Sequence, residues 1–85
     1  MTELQLYKAI NDLNPEWRWE NNEGKEDVII IVSNYQIEDF MKKIASQMHI
    51  DDPVKIFLHN DYVAIWASDI CDPLGIELEN VFEKP

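Results

Sequence analysis

An α+β domain, with a four-stranded and mostly antiparallel sheet and helices packed on one of its faces, is the fold this sequence predicts. Three observations predict it. Stretches of helical spacing alternate with β-branched or two-residue-period stretches. Their order is helix, hairpin, helix, hairpin, short helix. The chain has 85 residues and 46% apolar content, which suits one hydrophobic core, so residues 1–85 read as a single domain with 83–85 frayed.

Thr2 with Gln5 has the form of a capping box, and Leu6, Ile10 and Leu13 follow at helical spacing. The first helix therefore spans about Glu3 to Leu13, where Pro15 closes it and pushes Asn14 toward an extended conformation. Trp17 and Trp19 alternate with Glu16, Arg18 and Glu20, the pattern of a half-buried strand with its tryptophans in the core. Asn21, Asn22, Glu23 and Gly24 supply turn chemistry. Asp27 through Val32 is β-branched and apolar on both faces after its first residue, as an inner strand requires.

Ser33 with Gln36 repeats the capping pattern and opens the second helix. Its Ile37, Phe40, Met41, Ile44 and Met48 share one face, opposite Glu38, Asp39, Lys42 and Lys43. Asp51, Asp52 and Pro53 break that helix. Strands Val54–His59 and Tyr62–Ala67 are joined by a two-residue turn at Asn60 and Asp61. That loop length places Ile56 and Leu58 on one face with Val63 and Ile65, and Phe57 and His59 on the other with Tyr62 and Trp66. Ser68 and Asp69 cap a short turn through Ile70 and Cys71 that ends at Gly75, and Glu77 to Phe82 forms the last short helix. The two hairpin-plus-helix units have the form of a degenerate internal duplication.

Seventeen Asp and Glu stand against seven Lys and Arg, a formal net charge of −10. A field of that sign repels phosphate backbones and anionic lipid and favours cationic partners, so neither direct nucleic-acid binding nor membrane binding is expected. Cys71 is the sole cysteine, which precludes an intrachain disulfide and suits a reducing compartment. The first residues lack a basic segment followed by an apolar one, and the longest apolar run is Val28 to Val32. A cytoplasmic protein is expected.

Catalytic signatures are missing. The sequence has no Gly-rich phosphate loop and no nucleophile elbow, and its two histidines, His49 and His59, stand in different contexts. An enzyme, a cofactor and a small-molecule substrate are therefore not expected. His49 with Asp51 and Asp52, His59 with Asp61, and Asp69 with Cys71 and Asp72 are the clusters that could hold a metal. None has zinc or calcium-loop spacing, and turn and cap chemistry accounts for the acidic members, so no metal is expected either. Cys71 reads as a small core residue whose thiol Asp69 and Asp72 would make less acidic.

Two groups of residues remain as candidates for binding. Phe57, Tyr62 and Trp66, with Lys55 and His59 among them, share a sheet face. If every helix covers the opposite face, they form an apolar patch that marks a protein interface, with a second copy of the chain as one possible partner. The other group is acidic: Glu20, Glu23, Glu26 and Asp27 around the first turn, interrupted by Lys25, and Asp69, Asp72, Glu77, Glu79 and Glu83 in the tail, countered by Lys84. Spaced carboxylates of that kind either keep a small domain soluble or imitate the phosphates of a nucleic acid.

The stretch Asp69 to Phe82, together with Glu16 to Glu20 and Glu26 to Ile30, resembles small acidic proteins encoded by phages and prophages of Gram-positive bacteria. The resemblance covers most of the chain and implies an accessory role in a bacterial host, including inhibition of a host nuclease or defence complex. It carries no active site. Leu74 to Phe82 also resembles the last helix of phage-type helix-turn-helix repressors. The rest of the chain lacks the tri-helical core and basic recognition helix of that group, so DNA binding is not carried over. The expectation is a non-enzymatic accessory protein that binds protein, with an acidic nucleic-acid mimic as the alternative and a metal protein or small enzyme third.

Overall fold

Two antiparallel hairpins lie side by side in a computed structural model that describes residues 1–47 and 54–84. The first pairs β1 (Glu16–Asn22) with β2 (Lys25–Ser33), and the second pairs β3 (Ile56–Leu58) with β4 (Tyr62–Trp66). Strands β2 and β4 join them, so the sheet order is β1-β2-β4-β3 and every pairing is antiparallel. The inner strands are the second of each hairpin and the edges are the first. Around them are α1 (Glu3–Asn11), α2 (Ile37–Gln47), α3 (Ser68–Leu74) and a final 3₁₀ turn, Leu78–Asn80. The α+β class and the four-stranded sheet hold. The order differs at the end, where two helical elements follow the second hairpin in place of a turn and one helix.

Local chemistry explains most boundaries. The Thr2 hydroxyl accepts from the Gln5 N–H at 3.2 Å and the Gln5 side chain accepts from the Thr2 N–H at 2.8 Å, a complete capping box. Helix α1 ends at Asn11, short of the expected Leu13. Asn14 lies at φ +48°, left-handed and not extended, a conformation asparagine tolerates. Glu23 and Gly24, at φ +52° and +85°, form the two-residue turn of the first hairpin, and the Asn21 side chain accepts from the Gly24 N–H. Ser33 is the last residue of β2 and not a helix cap; residues 34–36 turn before α2 starts at Ile37. In α3, Gly75 at φ +69° and the Ile76 N–H to Cys71 C=O bond close the helix as a Schellman motif. That closure turns the expected short turn into a seven-residue helix.

Residues directly opposite in an antiparallel ladder point to the same side, so the register assigns the two faces. One carries the rows Trp17–Ile30–Ile65–Ile56, Val32–Val63–Leu58 and Trp19–Val28. Val28, Ile30, Val32, Val63 and Ile65 are buried in one core with Leu6, Ala9 and Ile10 of α1, Phe40 and Ile44 of α2, Ile70 and Cys71 of α3, and Val81 and Phe82. The helices thus pack on this side. The predicted helix-face residue Met48, the metal candidates His49, Asp51 and Asp52, and Pro53 lie outside the described residues.

Candidate functional site

The opposite face of the sheet carries the rows Arg18–Ile29–Trp66, Glu16–Ile31–Ala64–Phe57 and Ser33–Tyr62, with the pairs Glu20–Asp27 and Asn22–Lys25 at one end. None of its residues belongs to the core cluster. The expected register therefore holds, and Phe57, Tyr62 and Trp66 share this helix-free side. Phe57 is 44% and Tyr62 39% exposed, Trp66 and Ile31 are half-buried, and Ile29 and Ala64 are shielded at the centre of the sheet. The His59 ring stacks on Tyr62 at 4.4 Å between centroids, while the His59 N–H donates to the Tyr62 carbonyl at 2.9 Å and closes the hairpin. The contribution the sequence had not signalled is aliphatic: Ile29, Ile31 and Ala64 extend the aromatic group into a continuous strip. Alternation along a strand that is apolar on both faces gives no clue to which half stays uncovered.

Charge is divided across this face. Its β1 side bears Glu16 and Glu20, with Arg18 between them paired to Glu20, and its β3 side bears His59, with Lys55 just before the strand. The Lys55 N–H is held by the Asp69 carboxylate at 3.1 Å, which ties the start of β3 to α3.

The acidic candidates separate by role. Glu26 is paired with Lys84, and Asp69 is engaged as above; Asp72, Glu77, Glu79 and Glu83 are exposed. Glu23, Glu26 and Asp72, from the two clusters that sequence keeps apart, line one cleft of about 390 Å³ with Lys25. Asp27, grouped with the surface acids above, is 2% exposed. Its Oδ1 accepts from the N–H groups of Val28 (2.7 Å) and Ser68 (3.1 Å), and its Oδ2 from Asn22 Nδ2 (2.9 Å) and the Ser68 hydroxyl (2.5 Å). It is a structural anchor that receives the first turn of α3. An aspartate opening a buried, β-branched run was the available signal, since such a group must be partnered.

Cys71 is fully buried, and its thiol is pushed up to about 12 from 9.0. Burial is the main cause, followed by the charges of Asp72 and Asp27, so Asp27 takes the part expected of Asp69. Among the described residues no group of three His, Cys, Asp or Glu side chains is placed to hold a metal ion. Nor, among those residues, is any helix long and apolar enough to cross a membrane.

Compared with known protein families, with curated proteins and with solved structures, the chain matches none.

Proposed function

We propose that the protein acts by binding protein through the helix-free face of its sheet, and that the occupant is a second copy of itself. The observation that carries the reading is the strip formed by Phe57, Tyr62, Trp66, Ile29, Ile31 and Ala64 on a face that α3 reaches only at its Asp27 end, through Ser68. Two such sheets pack face to face about 10 Å apart. A two-fold axis along the strands lays the β1 side of one copy over the β3 side of the other. By the register Glu16 then lies over Phe57 and Arg18 over Lys55, so the apolar strip and not charge pairing carries the contact.

Four strands at the usual spacing, about five residues long, give a footprint of roughly 320 Å². That is well under the ~800 Å² per partner of a stable complex, so the dimer is weak and dissociates on dilution. The acidic-mimic alternative needs carboxylates in a row at about 6–7 Å, two residues per step along a strand. Along β1 that row is broken by Arg18 between Glu16 and Glu20, and Glu26 is matched by Lys84. The accessory role in a bacterial host is supported by the resemblance to phage and prophage proteins. Light scattering behind size exclusion, from micromolar to submillimolar protein at moderate salt, tests the reading. Mass should rise toward twice the monomer, and Trp66→Glu should return it to monomer without unfolding. A wild-type monomer at the highest concentration overturns self-association.

A further inference from the structure

On the helix side of the sheet, away from the proposed interface, lies a pocket of about 160 Å³ whose lining includes Tyr7, Trp17, Phe82, Asn11 and Glu83. Its volume is that of about five waters, enough for a single alkylated nitrogen. We propose that this pocket binds a cationic head group on an apolar stem, either an alkylammonium side chain of a partner or a free quaternary amine.

Three features support that ligand class. The first is composition: two open aromatic residues, Tyr7 and Trp17, and one acidic residue, Glu83, line the same pocket, the combination that recognition of an alkylammonium requires. The second is preorganisation. Phe82 is 1% exposed, and Trp17 meets it edge-on at 5.2 Å between centroids, so two walls are fixed by the core. Glu83 is held through its backbone, because the Trp19 indole N–H donates to the Glu83 carbonyl at 3.1 Å. The residue is otherwise exposed, and little backbone ordering is left for the ligand to induce. The third is a precedent within the molecule. The Lys84 ammonium lies 5.3 Å from the centre of the Trp19 ring, so the chain already places a cation on one indole of β1. Trp17, two residues away on the same face and 38% exposed, has no such cation among the described residues.

The surroundings agree in sign. A net charge of −10 concentrates cations at the surface. A neutral ligand of the same shape would gain only the apolar contact, so charge must discriminate.

The test is titration of the full chain with tetramethylammonium chloride, read from the indole N–H resonance of Trp17 in ¹H–¹⁵N spectra, with sodium chloride at equal ionic strength as the control. The expected result is a saturable shift of Trp17 but not of Trp66, with tert-butanol, the neutral counterpart, binding about tenfold more weakly. Glu83→Gln should weaken binding about fivefold while leaving the spectrum otherwise native, since the backbone bond to Trp19 remains. Tyr7→Leu, at a position 47% exposed, should do the same. Blocked glycine–lysine–glycine tripeptides, plain and trimethylated, separate the sources: tighter binding than tetramethylammonium assigns a side chain, and equal binding a free amine. Equal affinity for tert-butanol, no saturable shift with any cation, or full binding by Glu83→Gln overturns the proposal.

Discussion

Removing the Asp27 carboxylate tests how the second hairpin is fastened to the first. Strand β4 ends at Trp66, opposite Ile29; beyond it the Ala67 N–H still donates to the Val28 carbonyl at 2.8 Å, but the Val28 N–H gets no backbone acceptor. The Asp27 side chain fills the gap. It takes up the Val28 N–H, which has lost its strand partner, and the Ser68 N–H and hydroxyl at the start of α3, where no side-chain cap is present. In Asp27→Ala four donors lose their acceptor. Two of them, the Val28 N–H and the Ser68 N–H, are backbone groups in buried or half-buried surroundings, and each costs about 1–3 kcal/mol when left unpaired. Water can reach Asn22 and the Ser68 hydroxyl, so those add less. A loss of about 3–4 kcal/mol follows. A domain of this length is stabilised by roughly 4–13 kcal/mol, so a substantial part of the total is at stake. Urea unfolding followed by tryptophan fluorescence measures it directly, with an unchanged m-value expected. Asp27→Asn retains one acceptor oxygen but sets an amide against Asn22, and should cost about half as much. A loss of under about 0.5 kcal/mol for Asp27→Ala would refute the assignment of Asp27 as the anchor.

The Cys71 thiol at about 12 sits above its ordinary 9.0, so the folded chain binds the proton more tightly than the unfolded one. Its stabilising contribution is complete below pH about 9 and declines as pH rises from 9 toward 12; correspondingly, at pH about 8 the native thiol should react with a disulfide reagent at least ~100-fold more slowly than in urea, and equal rates would contradict its burial. Gly24 lies at φ +85° with open space where a Cβ would go, so Gly24→Ala should cost about 1 kcal/mol in urea unfolding from backbone strain alone, and a neutral result would contradict the turn.

Several features that a few neighbouring residues determine were legible in the sequence, although the equally local Ser33–Gln36 capping pattern was not realised. The Thr2–Gln5 capping box, the Glu23–Gly24 turn and the Asn60–Asp61 hairpin each depend on residues within one turn, and the last also set the register that put Phe57, Tyr62 and Trp66 together. Features that depend on distant residues were not. Asp27 looked like one more surface acid because its partner, Ser68, is 41 positions away. Trp17 and Trp19 point to the core side as alternation predicts, yet Trp17 stays partly open, because β1 is an edge strand and the tail from Val81 onward covers only part of it. Helix α3 was hidden by Pro73, which interrupts the helical signal while the Gly75 closure preserves the helix.

The acidic excess, which sequence alone could attach to no partner, acts in opposite directions on the two proposed surfaces. Two copies meeting through the open face each bring a net charge of −10, so long-range repulsion opposes dimerisation. Salt at physiological strength shortens the range of that repulsion to about 8 Å, less than the distance between most charges on two packed sheets, and so favours the dimer. The pocket of Tyr7, Trp17 and Phe82 gains from the same field, because the ligand is a cation drawn toward Glu83, and salt weakens that attraction. One helix-free face and one aromatic pocket, separated by the sheet, therefore respond to ionic strength with opposite signs. A binding signal that strengthens with salt belongs to the apolar strip around Trp66, and one that weakens belongs to Trp17.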